Sequence, residues 1–140
     1  SSGSDSNNGT SEKTPFKSLL KVSKLPLNKG EAVLLKCGDT WTGETLNING
    51  SGTKQEPIVI SSYGSGNKPK ISPKRVDSDC ILINGKEGVV VSGLELSDAL
   101  YGVRLLYDHD YNNQYICLEN LYIHDMTHLY NSNPETFNHY

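Results

Sequence analysis

His124 and Asp125, with His128 close by, are the adjacent residues best suited to chemistry in this 140-residue chain. A carboxylate that orients an imidazole makes a general base. Asp125 has a second candidate partner in Asp98. If the two lie on neighbouring repeats of a stacked fold, their carboxyls would stand about 5–9 Å apart, a spacing used in glycoside hydrolysis. Stacked repeats also bring like side chains together automatically, so geometry alone can produce the same pattern.

Arg104 is the one arginine on a strand-like segment. Removal of the proton α to a uronate carboxylate needs such a base, together with a cation or neutral acid to offset charge. A solvated strand residue is the plainer reading, and Lys74 and Arg75 sit in a turn after Pro73. Asp108-His109-Asp110 offers two carboxylates around an imidazole, which makes Asp108 and Asp110 candidate calcium ligands through oxygen. The segment lacks the glycine and distal glutamate of a recognised calcium loop, and an ordinary polar turn between coils is the plainer reading. Asp5-Ser6-Asn7-Asn8-Gly9 has the same ambiguity. Tyrosines crowd the last third of the chain, and Tyr107, Tyr111 and Tyr122 are candidate sugar platforms, although such rings also serve as partly buried fillers.

Composition narrows the partners. A net charge of −3 with no Lys/Arg block gives no basis for nucleic-acid binding, and no apolar run reaches membrane-spanning length. Walker, dinucleotide, Gly-x-Ser-x-Gly and His-Glu-x-x-His motifs are all missing from the sequence. Cys37, Cys80 and Cys117 match neither a zinc spacing nor a disulfide framework and read as buried thiols. The sequence opens without Met, so a removed leader, tag or upstream segment is expected before Ser1.

These side chains need elements to position them. Residues 1–13 read as a polar loop. A capping helix is predicted over 14–25, with Thr14 as N-cap and Pro15 in the first turn, and Pro26 ends it. Everything after reads as strand: Ala32–Cys37, Thr45–Asn49, Pro57–Ser62, Cys80–Asn84, Val89–Leu96, Gly102–Tyr107 and Tyr115–Ile123. Asn-Gly turns between them also fit antiparallel hairpins. A faint repeat favours stacking instead. Gly93-Leu94-Glu95-Leu96-Ser97-Asp98 and Asn120-Leu121-Tyr122-Ile123-His124-Asp125 share a pattern, each preceded by an apolar run. The prediction is an all-β, right-handed parallel β-helix of about four or five coils over 26–140. The amphipathic helix covers one end, and the other end is incomplete and expected to continue.

Gly38-Asp39-Thr40-Trp41-Thr42-Gly43, the Gly52-Thr53 turn and Pro57-Ile58-Val59-Ile60-Ser61-Ser62-Tyr63-Gly64, with the segments from Gly3 and Thr14, resemble the N-terminal region of secreted right-handed β-helix proteins of the pectate-lyase-like superfamily. The resemblance implies a secreted or cell-surface bacterial protein acting on polysaccharide. In that superfamily's lyases acidic residues bind calcium and a Lys or Arg acts as base, so calcium is the expected cofactor, while charge and hydropathy give no nucleic-acid partner and no membrane insertion. The first activity that the resemblance implies is β-elimination of uronate-containing polysaccharide. Glycoside hydrolysis by paired carboxylates and a non-catalytic glycan-binding or adhesin solenoid remain alternatives. The family's catalytic groups generally lie in later coils, so this piece alone is expected to be inactive.

Overall fold

A computed structural model describes residues 3–107 and 115–127. One short helix, α1 (Leu19–Ser23), precedes eleven strands. These are β1 (Ala32–Lys36), β2 (Thr40–Thr42), β3 (Leu46–Asn47), β4 (Ile58–Tyr63), β5 (Lys70–Ser72), β6 (Asp79–Asn84), β7 (Val89–Ser92), β8 (Glu95–Ser97), β9 (Tyr101–Leu106), β10 (Ile116–Glu119) and β11 (Tyr122–His124). They form three sheets, in the orders β1-β4-β7-β10, β2-β5-β8-β11 and β3-β6-β9. Every pairing is parallel, as in a β-solenoid. The described residues contain three complete coils and two strands of a fourth, where four or five coils were expected.

Val90 pairs with Cys117 and Leu96 with Ile123, so the 27-residue offset visible in the sequence is the register of the last two coils. Ala32 and Val59 repeat it in the first sheet. In the third sheet the step lengthens to 35 residues between Leu46 and Ile81 and shortens to 22 between Ile81 and Val103. Loops of unequal length between the paired strands make the repeat faint.

The core is a set of apolar ladders. Trp41, Ile71, Leu96 and Ile123 stack along the second sheet, and Val33, Ile60, Val91 and Leu118 along the first. Ile58, Ile60, Ile71, Ile81, Ile83, Val89, Val91, Leu94 and Leu96 are fully buried. Each such side chain contributes about 1.5–3 kcal/mol by leaving water. Corners between sheets require backbone that most residues resist. Gly93 turns one at φ 69, and Asn120, its equivalent a coil later, does so at φ 50. These two corners divide the segments expected as single strands, Val89–Leu96 and Tyr115–Ile123.

The helix begins later than the sequence predicted. Ser18, not Thr14, is the N-cap, and its hydroxyl accepts from the Lys21 N–H. Asp5 explains the shift: its carboxylate accepts from the Lys17 and Ser18 amides and from the Ser18 hydroxyl, fixing residues 17–18 outside the helix. Leu19 and Val22 are buried and the helix packs against β3, closing that end of the solenoid. The Trp41 indole donates to the Lys17 carbonyl at 3.0 Å, tying the cap to the first coil. At the opposite end, Leu105, Leu118 and Ile123 are 41%, 44% and 44% exposed, so the core ladders end open among the described residues. No helix of the described residues is long and apolar enough to cross a membrane.

Of the three cysteines, Cys80 is buried while Cys37 and Cys117 are half-buried, and all are free. Burial pushes the Cys80 thiol up to about 12, and its Sγ lies 3.5 Å from the Ile71 and Ser97 carbonyls.

Candidate glycan-contact face

The outward side of the second sheet carries a connected polar arrangement. Parallel register sets Thr40, Lys70, Glu95 and Tyr122 in one row across four coils. Rungs of a sheet stand about 4.8 Å apart, so the row is about 14 Å long. Beside it, Ser72 pairs with Thr42 and His124 with Ser97.

Within this face, His124 is bound at both ring nitrogens. Its Nε2 lies 2.8 Å from Glu95 Oε1 on the preceding coil, and its Nδ1 lies 2.7 Å from Asp125 Oδ2. An ionised carboxylate only accepts, so both contacts are hydrogen bonds only when both nitrogens carry protons. The Glu95 bond, then the Asp125 bond, raises the His124 pKa above its ordinary value. The His124 bond is in turn the main cause holding Glu95 low, with Lys70 assisting from 3.5 Å. The Tyr122 ring stacks on the imidazole, with centroids 4.4 Å apart and planes at 28°.

Asp98 sits one coil earlier at the equivalent corner. Asp98 and Asp125 share a φ of 54, and the Asp98 N–H donates to the Asp125 carbonyl at 3.2 Å. The two aspartates therefore do stack on neighbouring coils. Their carboxylates are engaged differently: Asp98 Oδ2 accepts from the Ser72 hydroxyl at 2.6 Å and the Ser97 hydroxyl at 2.7 Å. Those two bonds, Ser72 first, hold the Asp98 carboxyl low. They also satisfy serines that are almost wholly buried.

Other predicted positions lie elsewhere. Arg104 is on β9 in the third sheet, not on this face. Its Nη1 is 3.7 Å from Asp79 Oδ1, and its guanidinium carbon is 5.6 Å from the centre of the Tyr101 ring. Asp79 is pushed up by burial, partly offset by Arg104, and its Oδ1 has no hydrogen bond among the described residues. Arg104, a candidate base whose plainer reading was a solvated strand residue, lies beside the buried Asp79 carboxylate. Tyr107 is half-buried and donates its hydroxyl to the Lys86 carbonyl at 2.7 Å, a bond that locks the loop after Asn84. Asp108, Asp110, Tyr111 and His128 lie outside the described residues.

Lys70, Ser72 and Ser97 were missed by sequence reasoning, and Glu95 appeared only as an alternation marker. The available signal was the repeat itself. Its 27-residue offset places Glu95 beside Tyr122, within reach of His124 two residues on. Nothing comparable flagged Lys70, because its coil is offset by 25 from Glu95.

No family model matches the chain. Among curated proteins, it is 41% identical over 71 residues to a lacto-N-biosidase of Bifidobacterium longum, covering 49% of this chain and 4% of that protein. It is 32% identical over 100 residues to the uncharacterized protein YwoF of Bacillus subtilis, covering 69% of this chain and 20% of that protein. Among solved structures, it resembles the GH136 lacto-N-biosidase of Eubacterium ramulus with a TM-score of 0.70 and 30% identity, over 89% of this chain and 26% of that one. The chain therefore spans about a quarter or less of the relatives it matches. The relatives named for an activity are glycosidases, not pectate lyases, and what the chain shares with the solved one is a parallel β-solenoid capped by a short helix.

Proposed function

We propose that this chain supplies the capping helix and first coils of a carbohydrate-active β-helix protein that cleaves glycans by hydrolysis, and that the outer face of the second sheet contacts the glycan. The observation that carries the reading most is the likeness, over 89% of the chain, to a lacto-N-biosidase. Local chemistry supports hydrolysis over β-elimination. On this face Lys70 is paired with Glu95, and Arg104, on the third sheet, is paired with Asp79, so neither stands as an unengaged base. Carboxylate oxygens beside an exposed tyrosine suit a hydroxyl-rich neutral sugar.

Glu95 and Asp125 contribute recognition rather than bond cleavage. An inverting pair needs space for a water between its carboxyls and a retaining pair needs access to the sugar carbon, whereas here an imidazole bridges the two carboxylates. Calcium held through Asp108 and Asp110, and secretion or surface display, remain part of the proposal. The test is to incubate the longest natural form of the protein with glycans carrying lacto-N-biose and with pectin and alginate, with calcium and with chelator. New reducing ends on the neutral glycans are expected, without the ultraviolet absorbance of an unsaturated uronate. Absorbance rising on pectin or alginate would overturn hydrolysis in favour of elimination.

A further inference from the structure

Tyr122 is 57% exposed, so the core does not hold its ring. Its backing is the His124 imidazole, stacked at 4.4 Å, and that imidazole is itself held from two sides. Glu95 grips Nε2 from β8, and Asp125 grips Nδ1 from the segment following β11. Lys70 on β5 approaches the same Glu95 oxygen at 3.5 Å and keeps that carboxylate anionic. Asp98, from the corner after β8, is turned to Ser72 and Ser97. The Tyr122 phenol completes the set of titratable groups around the ring.

We propose that His124 is a pH-dependent positioning residue: as an imidazolium it bridges two coils and holds the Tyr122 ring as a platform for the glycan, and on losing its proton it releases that platform. The inference rests on the glycan-contact reading above. The reason is donor arithmetic. A neutral imidazole has one N–H, so one of its two contacts becomes a nitrogen lone pair facing a carboxylate oxygen. That contact opens, the ring is anchored on one side only, and Tyr122 loses its fixed backing. Charge-assisted bonds are the stronger kind, which makes the change a large one for so exposed a pair of rings. Because Glu95 and Asp125 both favour the charged ring, release comes as pH rises beyond the ordinary histidine value of 6.5.

The whole 140-residue chain, labelled for nuclear magnetic resonance, is titrated with lacto-N-biose across the pH range in which the His124 ring titrates. Tyr122 ring order is measured in parallel without sugar. Affinity is expected to fall about tenfold per pH unit above the His124 inflection, the slope for binding to the protonated form alone. Tyr122 ring order should drop at the same inflection. Asp125→Asn, at an exposed position, should move both inflections to lower pH, and His124→Gln should flatten the profile. Tyr122 order that ignores the titration of His124, or a His124→Gln variant with the wild-type pH profile, overturns the inference even where sugar binds. Ring order that follows the proton without sugar binding at any pH overturns the contact reading and leaves the release mechanism standing.

Discussion

At the scale of single residues, the chain divides its reactive groups into engaged and exposed ones. Cys80 is fully buried with its thiol pushed up to about 12, so it should resist alkylation in the native state at neutral pH, whereas the half-buried Cys37 and Cys117 should react. Mass spectrometry of iodoacetamide-treated protein checks this, and modification of Cys80 before unfolding would contradict it. The carboxylates set an acid limit on stability. Glu95 and Asp98 have pKa values lowered from 4.5 and 3.8 by their folded-state partners. A lowered folded value stabilises above the unfolded pKa and is lost as pH falls through the folded one. His124 has the opposite sign. Its contribution is complete below 6.5 and disappears as pH rises through its raised folded value. Thermal melting should therefore weaken at both ends of a pH series. His124→Gln should remove the decline that sets in above pH 6.5 and leave the Asp98 part of the acid one, since Asp98 is held by Ser72 and Ser97 and not by the imidazole; the loss that Cys80 adds lies at higher pH, above its ordinary value of 9.0. A variant that keeps the full alkaline decline would locate its source elsewhere.

At the scale of elements, corners and ladders decide stability. Gly88 is a tight corner: a Cβ there would overlap the Gly52 carbonyl group, at φ 63. Main chain cannot swing aside, so Gly88→Ala should cost more than the roughly 1–2 kcal/mol of left-handed backbone alone. Gly85 has a similar φ of 64 and nothing within 4 Å, so Gly85→Ala should cost only that backbone penalty. Denaturant midpoints of the pair measure the difference, and equal losses would contradict the packing argument. The same physics explains what was legible in the sequence. Val89–Val91 and Leu94–Leu96 announce themselves because apolar residues recur at every inward position. β2 and β5 were invisible, for each is three residues long with one fully inward apolar residue, Trp41 or Ile71, too short for alternation to register. The helix start was misplaced because Thr14-Pro15 satisfies local capping rules, while the carboxylate that overrides them comes from Asp5, distant in sequence. On the candidate face, His124 and Asp125 were readable as a local pair and Tyr122, separately, as a sugar platform. Lys70, Ser72 and Ser97 depend on parallel register between coils of unequal length, which no local pattern reveals.

At the scale of the whole molecule, the solenoid is asymmetric. One end carries α1 with Leu19 and Val22 buried beneath it, and the other leaves Leu105, Leu118 and Ile123 over two-fifths exposed among the described residues. Apolar side chains in core register, with parallel strand edges beside them, form a surface that favours pairing with another coil. The 140-residue chain should therefore associate as its concentration rises. Leu118→Lys, which places a charge on that end, should shift it toward monomer in sedimentation velocity. Strictly monomeric behaviour of the unmodified chain at all concentrations would contradict an open end.

Glycan is proposed to touch this chain along the row through Lys70, Glu95 and Tyr122, with His124 beside it. The most direct measurement is residue-resolved nuclear magnetic resonance of the labelled chain during titration with lacto-N-biose, at a pH where His124 is protonated. Signals of these four residues should shift together and saturably, and Tyr122→Ala should weaken binding at least about tenfold, of the order expected for losing an aromatic stacking anchor. Shifts confined to another sheet, or none on this face at saturating sugar, would contradict it.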